Sequence, residues 1–390
     1  MTELSNIAKN ITPSAMQIAL NIPDKHKYIS FALGLPANEA LPLSLLKESA
    51  VLCDENSDMQ YSPPLQLLKS QIKNLVKERG IHCEEDEIFL TAGAQQGISL
   101  LVRLLVNEGS QVIAEELVYP GFLQAIQSVR SSIITIPSDY MSGIRLYELE
   151  NTIKNYYKKP ALIYIVADGS NPLGVSLNLE NRKKLVLISQ KYQIPILEDD
   201  PYGLLYYGEK QYPALKSFGA EDVCYIGSFS KIIAPALRIG WIIAPKYLIP
   251  KLSVLKESSD IDMGTFSQRI ASNFIKGNNL EDHLPFVRKL YKEKRDFMCK
   301  CIDKYLPPDI KYTIPENGIY LWLEFDKSVD TEVLFRKARD QKVIIIPGNS
   351  FSSRGEKVAS NCIRLNFSFS SAEQIEEGIK RIANSLDKTI

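Results

Sequence analysis

The chain of 390 residues is 45% hydrophobic and 24% charged, a mixture typical of a globular protein large enough for more than one domain. Its 46 basic residues balance its 46 acidic residues, so no net charge favours nucleic acid or an anionic membrane as a partner. No apolar run approaches bilayer-spanning length, and the opening MTELSNIAKN lacks an apolar signal core. We therefore expect a cytoplasmic protein.

The cysteines and histidines are scattered, which argues against a metal centre. None of the six cysteines has zinc-ligand spacing, since even Cys299 and Cys301 are separated by only one residue. The three histidines, His26, His82 and His283, are far apart in the sequence. We expect reduced thiols, no metal, and no histidine-based catalytic triad.

Short apolar runs alternate with longer amphipathic stretches from about residue 88 to about residue 245. The amphipathic stretches include residues 98–106 and 180–192. The predicted strands are rich in β-branched residues and bounded by turn residues, and they cover residues 111–115, 161–166, 195–198, 224–227 and 240–244. Strands that are apolar throughout and alternate with helices predict an α/β fold with a mostly parallel sheet flanked by helices.

A change of pattern after about residue 285 predicts a second, smaller unit. Helix-like stretches cover residues 284–305 and 331–342, and strand-like runs cover residues 320–325 and 343–346. A final strand and helix lie within residues 362–385. The predicted organisation is an N-terminal segment that packs with the small domain and active site (1–45), a large domain (46–285) and a small α+β C-terminal domain (286–390).

The run GSFSK at residues 227–231 comes directly after a predicted strand and is followed by Arg238. Hydroxyl groups and an arginine fork can bind phosphate. A buried lysine has a lowered pKa and forms imines with aldehydes. This order of residues suits an anionic cofactor whose aldehyde is captured by Lys231. A solvated lysine at a strand end is the alternative.

An acidic run, EDDPY at residues 198–202, also lies at the end of a predicted strand. Ligands of open α/β sheets bind beyond the carboxyl ends of the strands, where this run and Lys231 would both fall. A carboxylate at this place could pair with a protonated pyridine nitrogen and make the ring an electron sink. A solvent-exposed acidic loop would have the same sequence.

Two further segments add weaker signals. The turn NPLG at residues 171–174 follows a predicted strand, and its asparagine could donate a hydrogen bond to a phenolic oxygen. The run TAGAQQG at residues 91–97 places small residues at the start of a predicted helix, where backbone N–H groups can bind phosphate. Each segment alone is also compatible with an ordinary turn or helix start.

In their order along the chain, these motifs resemble those of fold-type I pyridoxal-phosphate enzymes of the class I/II aminotransferase family. Within that family the chain is most similar to the group of kynurenine/α-aminoadipate aminotransferases and the aminotransferase-like domains of MocR-type regulators. The resemblance begins with ISFALGLP at residues 29–36 and continues through YSP at residues 61–63. It closes with PENGIYLW at residues 315–322, PG at residues 347–348 and CIRL at residues 362–365.

The resemblance implies roles for individual residues. Lys231 would hold pyridoxal 5′-phosphate as an internal aldimine and move the substrate α-proton. Asp199 would pair with the pyridinium nitrogen, and Arg364, aided by the backbone near Gly34, would bind the substrate α-carboxylate. The remaining contacts would come from Tyr202 and Asn171 at the phenolic oxygen, with Asn171 also beside the substrate, from Tyr119 on the ring face, and from Ala94, Gln95, Ser228, Ser230 and Arg238 at the phosphate.

The resemblance also implies a homodimer with shared active sites, because Tyr61 would reach the phosphate bound to the neighbouring subunit. The implied reaction moves an amino group from an L-amino acid to a 2-oxo acid. Where relatives often carry an arginine near the N-terminus, this chain reads SAMQ at residues 14–17, which favours an aromatic or aliphatic donor. Leu65 and Gln66 replace a usual glycine after the YSP motif, and Ala92-Gly93-Ala94 replaces a usual Ser-Gly-Ser.

Two other functions stay open at this point. The same scaffold could carry another pyridoxal-phosphate reaction, such as that of a lyase, a decarboxylase or an oxidase, since a fold does not determine the reaction. A non-catalytic sensor of the MocR type is the second alternative. Because the motifs begin by about residue 29, we expect no DNA-binding domain before them, and the balanced charge agrees with that.

Overall fold

The computed structural model describes residues 2–5, 8–9, 13–21, 27–208, 211–219, 221–355 and 357–386, so His26 lies outside the described residues. The longer helices of these residues are α1 (Ala15–Leu20), α2 (Leu43–Val51), α3 (Gln66–Leu75), α4 (Ala94–Leu105), α5 (Pro120–Ser128), α6 (Leu146–Asn155), α7 (Leu179–Tyr192), α8 (Ile249–Asp260), α9 (Thr265–Lys276), α10 (Asn279–Tyr305), α11 (Thr331–Asp340) and α12 (Ala372–Leu386). None of the helices described is long and apolar enough to cross a membrane.

The strands of the same residues are short. They are β1 (Ile29–Ser30), β2 (Ile88–Thr91), β3 (Gln111–Glu115), β4 (Ser132–Ile136), β5 (Ser138–Asp139), β6 (Gly143–Ile144), β7 (Ile163–Ile165), β8 (Ile196–Asp199), β9 (Val223–Ser228), β10 (Gly240–Ile243), β11 (Lys311–Tyr312), β12 (Tyr320–Glu324), β13 (Val343–Ile344), β14 (Ile346–Pro347) and β15 (Cys362–Asn366). They form two main sheets and two short strand pairs.

The central sheet has the strand order β2-β10-β9-β8-β7-β3-β4 within the described part of the chain. Its strands run parallel except for β10, which is antiparallel to both of its neighbours. Strands β8 and β9 are buried at every residue, because helices cover both faces of the sheet. The predicted α/β fold with a mostly parallel sheet is confirmed.

Successive residues of a strand contribute to different hydrophobic layers, as expected from the alternation of side chains across a sheet. Leu197 and Tyr164 pack into the layer that also contains Leu101 of α4. Their chain neighbours Ile196 and Ile163 pack into the opposite layer. This double burial explains why the central strands read as continuous apolar runs.

Two strands of the central sheet were not predicted. Strand β2 is only four residues long and follows an acidic turn, so its apolar signal is short. Strand β4 lies at the sheet edge, and its burial alternates between exposed or partly buried and buried positions. An edge strand with one solvated face lacks the continuous apolar run by which the other strands were recognised.

The reversed direction of β10 matters for the site. Gly240 at its amino end pairs with Thr91 at the carboxyl end of β2 and with Ser228 at the carboxyl end of β9. Residues that precede β10, including Arg238, therefore lie at the same sheet edge as residues that follow the parallel strands.

The C-terminal part contains an antiparallel sheet with the order β11-β12-β15-β14. Strand β1 pairs in parallel with β13, so the described N-terminal segment joins this part of the molecule. Helix α10 begins at Asn279, earlier than residue 284 as predicted, and contains Pro285. Buried Leu280 and Leu284 anchor the added turn. Helix α10 crosses the boundary predicted between residues 285 and 286. The division into domains stays a prediction.

A buried ion-pair network holds the segments that follow β7 and β8. Arg79 pairs with Asp168 through Nη2 and with Asp200 Oδ2 at 2.9 Å through Nε. Arg182 Nη2 lies 2.6 Å from Asp168 Oδ1. All four side chains are buried. Burial opposes ionisation of Asp168, but the two guanidinium groups outweigh it and hold the pKa of this carboxyl below its ordinary value.

The substitution Asp168→Asn should lower the free energy of unfolding by about 3–5 kcal/mol, because it leaves buried guanidinium groups without their shared carboxylate. Urea unfolding followed by circular dichroism measures this change. As a control, Glu150→Gln removes a more exposed pair with Lys191 and should change stability far less. Equal effects of the two substitutions would contradict the structural importance of the network.

Candidate active site

A cavity of about 270 Å³ lies at the carboxyl edge of the central sheet. Of the thirteen site residues predicted from the sequence, eleven line it, namely Gly34, Ala94, Gln95, Tyr119, Asn171, Asp199, Tyr202, Ser228, Ser230, Lys231 and Arg238. Arg364 lies behind the cavity wall and reaches it through a hydrogen bond to Asn171. Tyr61 does not line the cavity within this chain.

Lys231 follows β9 and is partly buried at the cavity wall. Its Nζ donates a hydrogen bond to the Gly34 carbonyl oxygen at 2.6 Å. Burial, together with the nearby Arg364 and Arg238 guanidinium groups, lowers the pKa of the Lys231 amine to about 8. A much larger fraction of this amine is therefore neutral near physiological pH than for an ordinary lysine. The neutral form is the nucleophile that attacks an aldehyde.

The three acidic residues at the end of β8 have different environments. Glu198 accepts hydrogen bonds from backbone N–H groups of the 3₁₀ turn Leu215–Phe218. Asp200 pairs with Arg79 in the buried network. Only Asp199 of the three lines the cavity. The structure thus separates two carboxylates with structural partners from one that faces the cavity.

Asp199 has one satisfied and one unsatisfied oxygen. Its Oδ2 accepts a hydrogen bond from the Tyr164 hydroxyl at 2.8 Å, whereas its Oδ1 is buried without a partner among the described residues. Burial raises the pKa of Asp199 to about 7; the Tyr164 hydrogen bond opposes this rise and the neighbouring Asp200 charge adds to it. A protonated ring nitrogen in the cavity would satisfy Oδ1 and stabilise the carboxylate, so the site fits a pyridinium group.

Donors of hydrogen bonds gather where α4 meets the cavity. Gly93 precedes this helix with a φ of 86°, and no side chain of the described residues caps its first turn. Arg238 Nη2 donates to the Ala92 carbonyl oxygen at 2.8 Å, and a Cβ on Gly93 would lie only 2.6 Å from that nitrogen. Free helix N–H groups, hydroxyls and a guanidinium group fit a phosphate. The groups are supplied by Ala94, Gln95, Ser228, Ser230 and Arg238.

Arg364 is a fully buried cation with only neutral partners. Its Nη1 donates to Asn171 Oδ1 at 2.6 Å, and its Nη2 donates to the Ala32 carbonyl oxygen. Its Nε has no partner, and no carboxylate pairs with it in the described parts of the chain. The Tyr320 and Phe351 rings lie 4.0 and 4.7 Å from its guanidinium carbon. This environment fits an incoming carboxylate, which would complete the pairing.

Tyr61 is 81% exposed and lies in a loop that packs against α9. The hydroxyl groups of Ser62 and Thr265 lie 3.1 Å apart, and the Leu65 N–H donates to Gln268 Oε1 at 2.9 Å. These contacts hold the loop although the glycine usual in the family is missing. The contact of Tyr61 with the phosphate bound to a neighbouring subunit stays a prediction. The segment SAMQ at residues 14–17 differs from the sequence expected for the family. The side chains of its residues 15 and 16 lie outside the described residues.

Two residues near the site were missed. Tyr164 lies within a strand predicted to be buried, and its hydroxyl donates a hydrogen bond to Asp199. Tyr320 lines the cavity from β12. Pairing of Trp322 with Arg364 across β12 and β15 places Tyr320 on the same sheet face as Arg364, since alternate residues share a face. The register of these two strands was the signal needed, and the sequence pattern alone did not supply it.

The buried Asp199 carboxyl, with one oxygen lacking a partner among the described residues, predicts a pH-dependent stability for the protein without a cavity ligand. A native pKa of about 7, above the ordinary carboxyl value, means that the folded state keeps a proton that the unfolded chain releases. Stability should therefore fall as the pH rises from about 5 to about 8.5. In Asp199→Asn this fall should be smaller by about 2–4 kcal/mol, measured by denaturant unfolding at both pH values. An unchanged pH dependence would contradict the raised pKa of Asp199.

Comparison with known proteins agrees with this geometry. The family model described as aminotransferase class I and II matches residues 30–382. The aromatic-amino-acid aminotransferase 1 of Thermococcus litoralis is 32% identical, and the match covers 98% of this chain and 93% of that protein.

Solved structures give the same result over almost the whole chain. The kynurenine aminotransferase of Pyrococcus horikoshii superposes with a TM-score of 0.92 at 31% identity, covering 99% of this chain and 97% of that chain. The α-aminoadipate aminotransferase of Thermus thermophilus, complexed with N-(5′-phosphopyridoxyl)-L-leucine, gives a TM-score of 0.91 at 29% identity with the same coverage of 99% and 97%. The chain therefore belongs to the class I and II aminotransferase family.

Proposed function

We propose that this protein is a pyridoxal-phosphate-dependent aminotransferase that moves the amino group of an aromatic or aliphatic L-amino acid to a 2-oxo acid. The main support for this proposal is a set of three ionisable groups around one cavity. They are a lysine whose pKa is lowered to about 8, a buried Asp199 oxygen without a partner, and a buried Arg364 without a carboxylate. These groups match an aldehyde, a pyridinium nitrogen and an α-carboxylate, respectively.

The cofactor is pyridoxal 5′-phosphate, which agrees with the family and with the phosphopyridoxyl ligand named for the Thermus thermophilus relative. When bound, this group attaches covalently to amines and stores the electron pair left after the α-proton is removed. Lys231 would hold it and, once released, would move the proton from the substrate α-carbon. Asp199 would keep the ring nitrogen protonated, which makes the ring a better electron acceptor.

The other cavity residues would orient the cofactor and the substrate. Tyr202 and Asn171 would donate hydrogen bonds to the phenolic oxygen, and Tyr119 would pack on the ring. The phosphate would bind to the first turn of α4, to Ser228 and Ser230 and to Arg238. Arg364 would bind the α-carboxylate bidentately beside Gly34 and Asn171. Holding both reactants in this way replaces a bimolecular encounter by a reaction between oriented groups.

The character of the cavity wall supports an uncharged substrate side chain. Leu33, Leu35, Val166, Pro201 and Pro235 contribute apolar surface to it. Within the described residues of one subunit, Lys231 and Arg238 are the cations that line the cavity, and both have roles in holding the cofactor. A distal carboxylate on the substrate would therefore lack a cationic partner there. An aromatic or aliphatic side chain would instead be desolvated favourably.

The proposal extends to the assembly and its location. We propose a homodimer in which Tyr61 of each subunit completes the phosphate site of the other. The exposed side chains of Met59, Tyr61, Val254 and Ile261 support it, because clustered exposed apolar groups mark association surfaces. We propose a cytoplasmic location, supported by six cysteines that are all free thiols.

The direct test of the covalent attachment is Lys231→Ala, which should abolish turnover because no other lysine lines the cavity in the described residues. In the unchanged protein, borohydride reduction followed by peptide mass spectrometry should place the cofactor mass on Lys231. The control Lys246→Ala removes an exposed lysine that pairs with Asp86 and should keep both properties. Turnover of Lys231→Ala at the rate of the unchanged protein would disprove the assignment.

The apolar wall predicts the donor preference. With pyruvate as the common acceptor, kcat/KM for phenylalanine or leucine should exceed that for aspartate or glutamate by about tenfold or more, because a buried unpaired carboxylate is unfavourable. Leu35→Arg places a cation in the wall and should narrow this ratio. An acidic donor preferred by the unchanged protein would contradict the proposed substrate class.

A further inference from the structure

Tyr320 lines the cavity although no predicted role involves it. Its ring lies 4.0 Å from the guanidinium carbon of Arg364 and meets the Tyr202 ring edge-on at a centroid distance of 6.0 Å. A Cβ on Gly34 would lie only 2.0 Å from the Tyr320 hydroxyl oxygen. The absence of a side chain at Gly34 therefore leaves the space that this hydroxyl fills.

The edge-on contact of the two rings brings the hydroxyl groups of Tyr320 and Tyr202 together as hydrogen-bond partners. Burial raises the pKa of Tyr202 well above its ordinary value, and the interaction with Tyr320, which includes a side-chain hydrogen bond, adds to the rise. Both tyrosines line the cavity, and Tyr202 is otherwise buried. Two phenol groups thus meet where a single one is sufficient to donate a hydrogen bond to a phenolic oxygen.

We propose that Tyr320 is a positioning residue with two separable actions: its hydroxyl orients the Tyr202 hydroxyl, and its ring supports the Arg364 guanidinium. This inference rests on the proposed function, since both Tyr202 and Arg364 act there on the bound cofactor and substrate. One side chain then links the group that bonds the phenolic oxygen to the group that binds the carboxylate.

The two actions have different physical consequences. A hydrogen bond donated to a deprotonated oxygen stabilises the deprotonated form, so a correctly oriented Tyr202 lowers the pH at which the spectrum of the bound cofactor changes. While Tyr202 donates its one proton to that oxygen, its own oxygen can accept a hydrogen bond from the Tyr320 hydroxyl, which orients Tyr202. Without this donor, Tyr202 stabilises the deprotonated form less. An aromatic ring against a guanidinium group stabilises its position through a cation–π contact, which a phenylalanine ring also provides.

The experiment compares the cofactor-loaded protein with Tyr320→Phe and Tyr320→Leu. The first readout is a pH titration of cofactor absorbance. The second is the dissociation constant of 3-phenylpropionate, a carboxylate without an amino group, measured by calorimetry. Tyr320→Phe should raise the spectroscopic pKa by about 0.5 unit or more and leave the dissociation constant within about twofold. Tyr320→Leu should change both quantities and weaken binding by about fivefold or more.

Tyr207→Phe is the matched control. The Tyr207 hydroxyl is buried and donates to the Gly318 carbonyl oxygen, close in sequence to Tyr320, but Tyr207 does not line the cavity. This variant should titrate like the unchanged protein. A spectroscopic pKa unchanged in Tyr320→Phe, or shifted equally in Tyr207→Phe, would overturn the role of the hydroxyl. Unchanged carboxylate affinity in Tyr320→Leu would overturn the role of the ring.

If the unchanged protein binds no pyridoxal phosphate at Lys231, the proposed function fails and the inference fails with it. If the unchanged protein binds the cofactor and turns over but the Tyr320 variants match it in both readouts, only the inference fails. Should Tyr320→Leu not fold, the titration of Tyr320→Phe alone still decides the role of the hydroxyl.

Discussion

Asp199 and Arg364 are buried and Lys231 is partly buried around one cavity, and none of them has an oppositely charged partner among the residues that the structure describes. Burying an unpaired ionisable group is unfavourable, and the protein responds by shifting pKa values or by accepting lower stability. The nearby Arg79 network shows the compensated alternative, in which buried charges of both signs meet directly. The unpaired ionisable groups therefore indicate where a ligand would supply the missing partners.

The chain brings these groups together through sheet topology rather than through sequence proximity. Strands β7, β8 and β9 are parallel, so the residues that follow them lie at one edge of the sheet. Strand β10 is antiparallel, so Arg238, which precedes it, lies at the same edge. The C-terminal sheet contributes Arg364 and Tyr320 from neighbouring strands. Strand β1 is paired with β13, which places the loop containing Gly34 over Lys231. The strand order and pairing of the two sheets thus determine the geometry of the site.

The features of this arrangement that could be predicted from the sequence are those that have a local sequence pattern. The buried strands of the sheet centre have continuous apolar runs, and the residues after them were predicted to meet, as Asp199 and Lys231 do. Edge strand β4 and the early start of α10 at Asn279 were missed, because tertiary packing rather than local pattern determines them. Tyr320 was missed for a related reason, since its closeness to Arg364 depends on the register of two strands distant in sequence.

The roles of the individual residues depend on one central claim, that the cavity binds pyridoxal phosphate and cycles it between an aldehyde and an amine form. An absorbance spectrum of the purified protein, recorded while phenylalanine and then a 2-oxo acid are added, tests this claim most directly. A cofactor band should convert with the amino acid and return with the oxo acid. A bound cofactor that never cycles reversibly would indicate a lyase, decarboxylase or oxidase. The absence of a cofactor band even with excess pyridoxal phosphate would show that the cavity does not bind this cofactor.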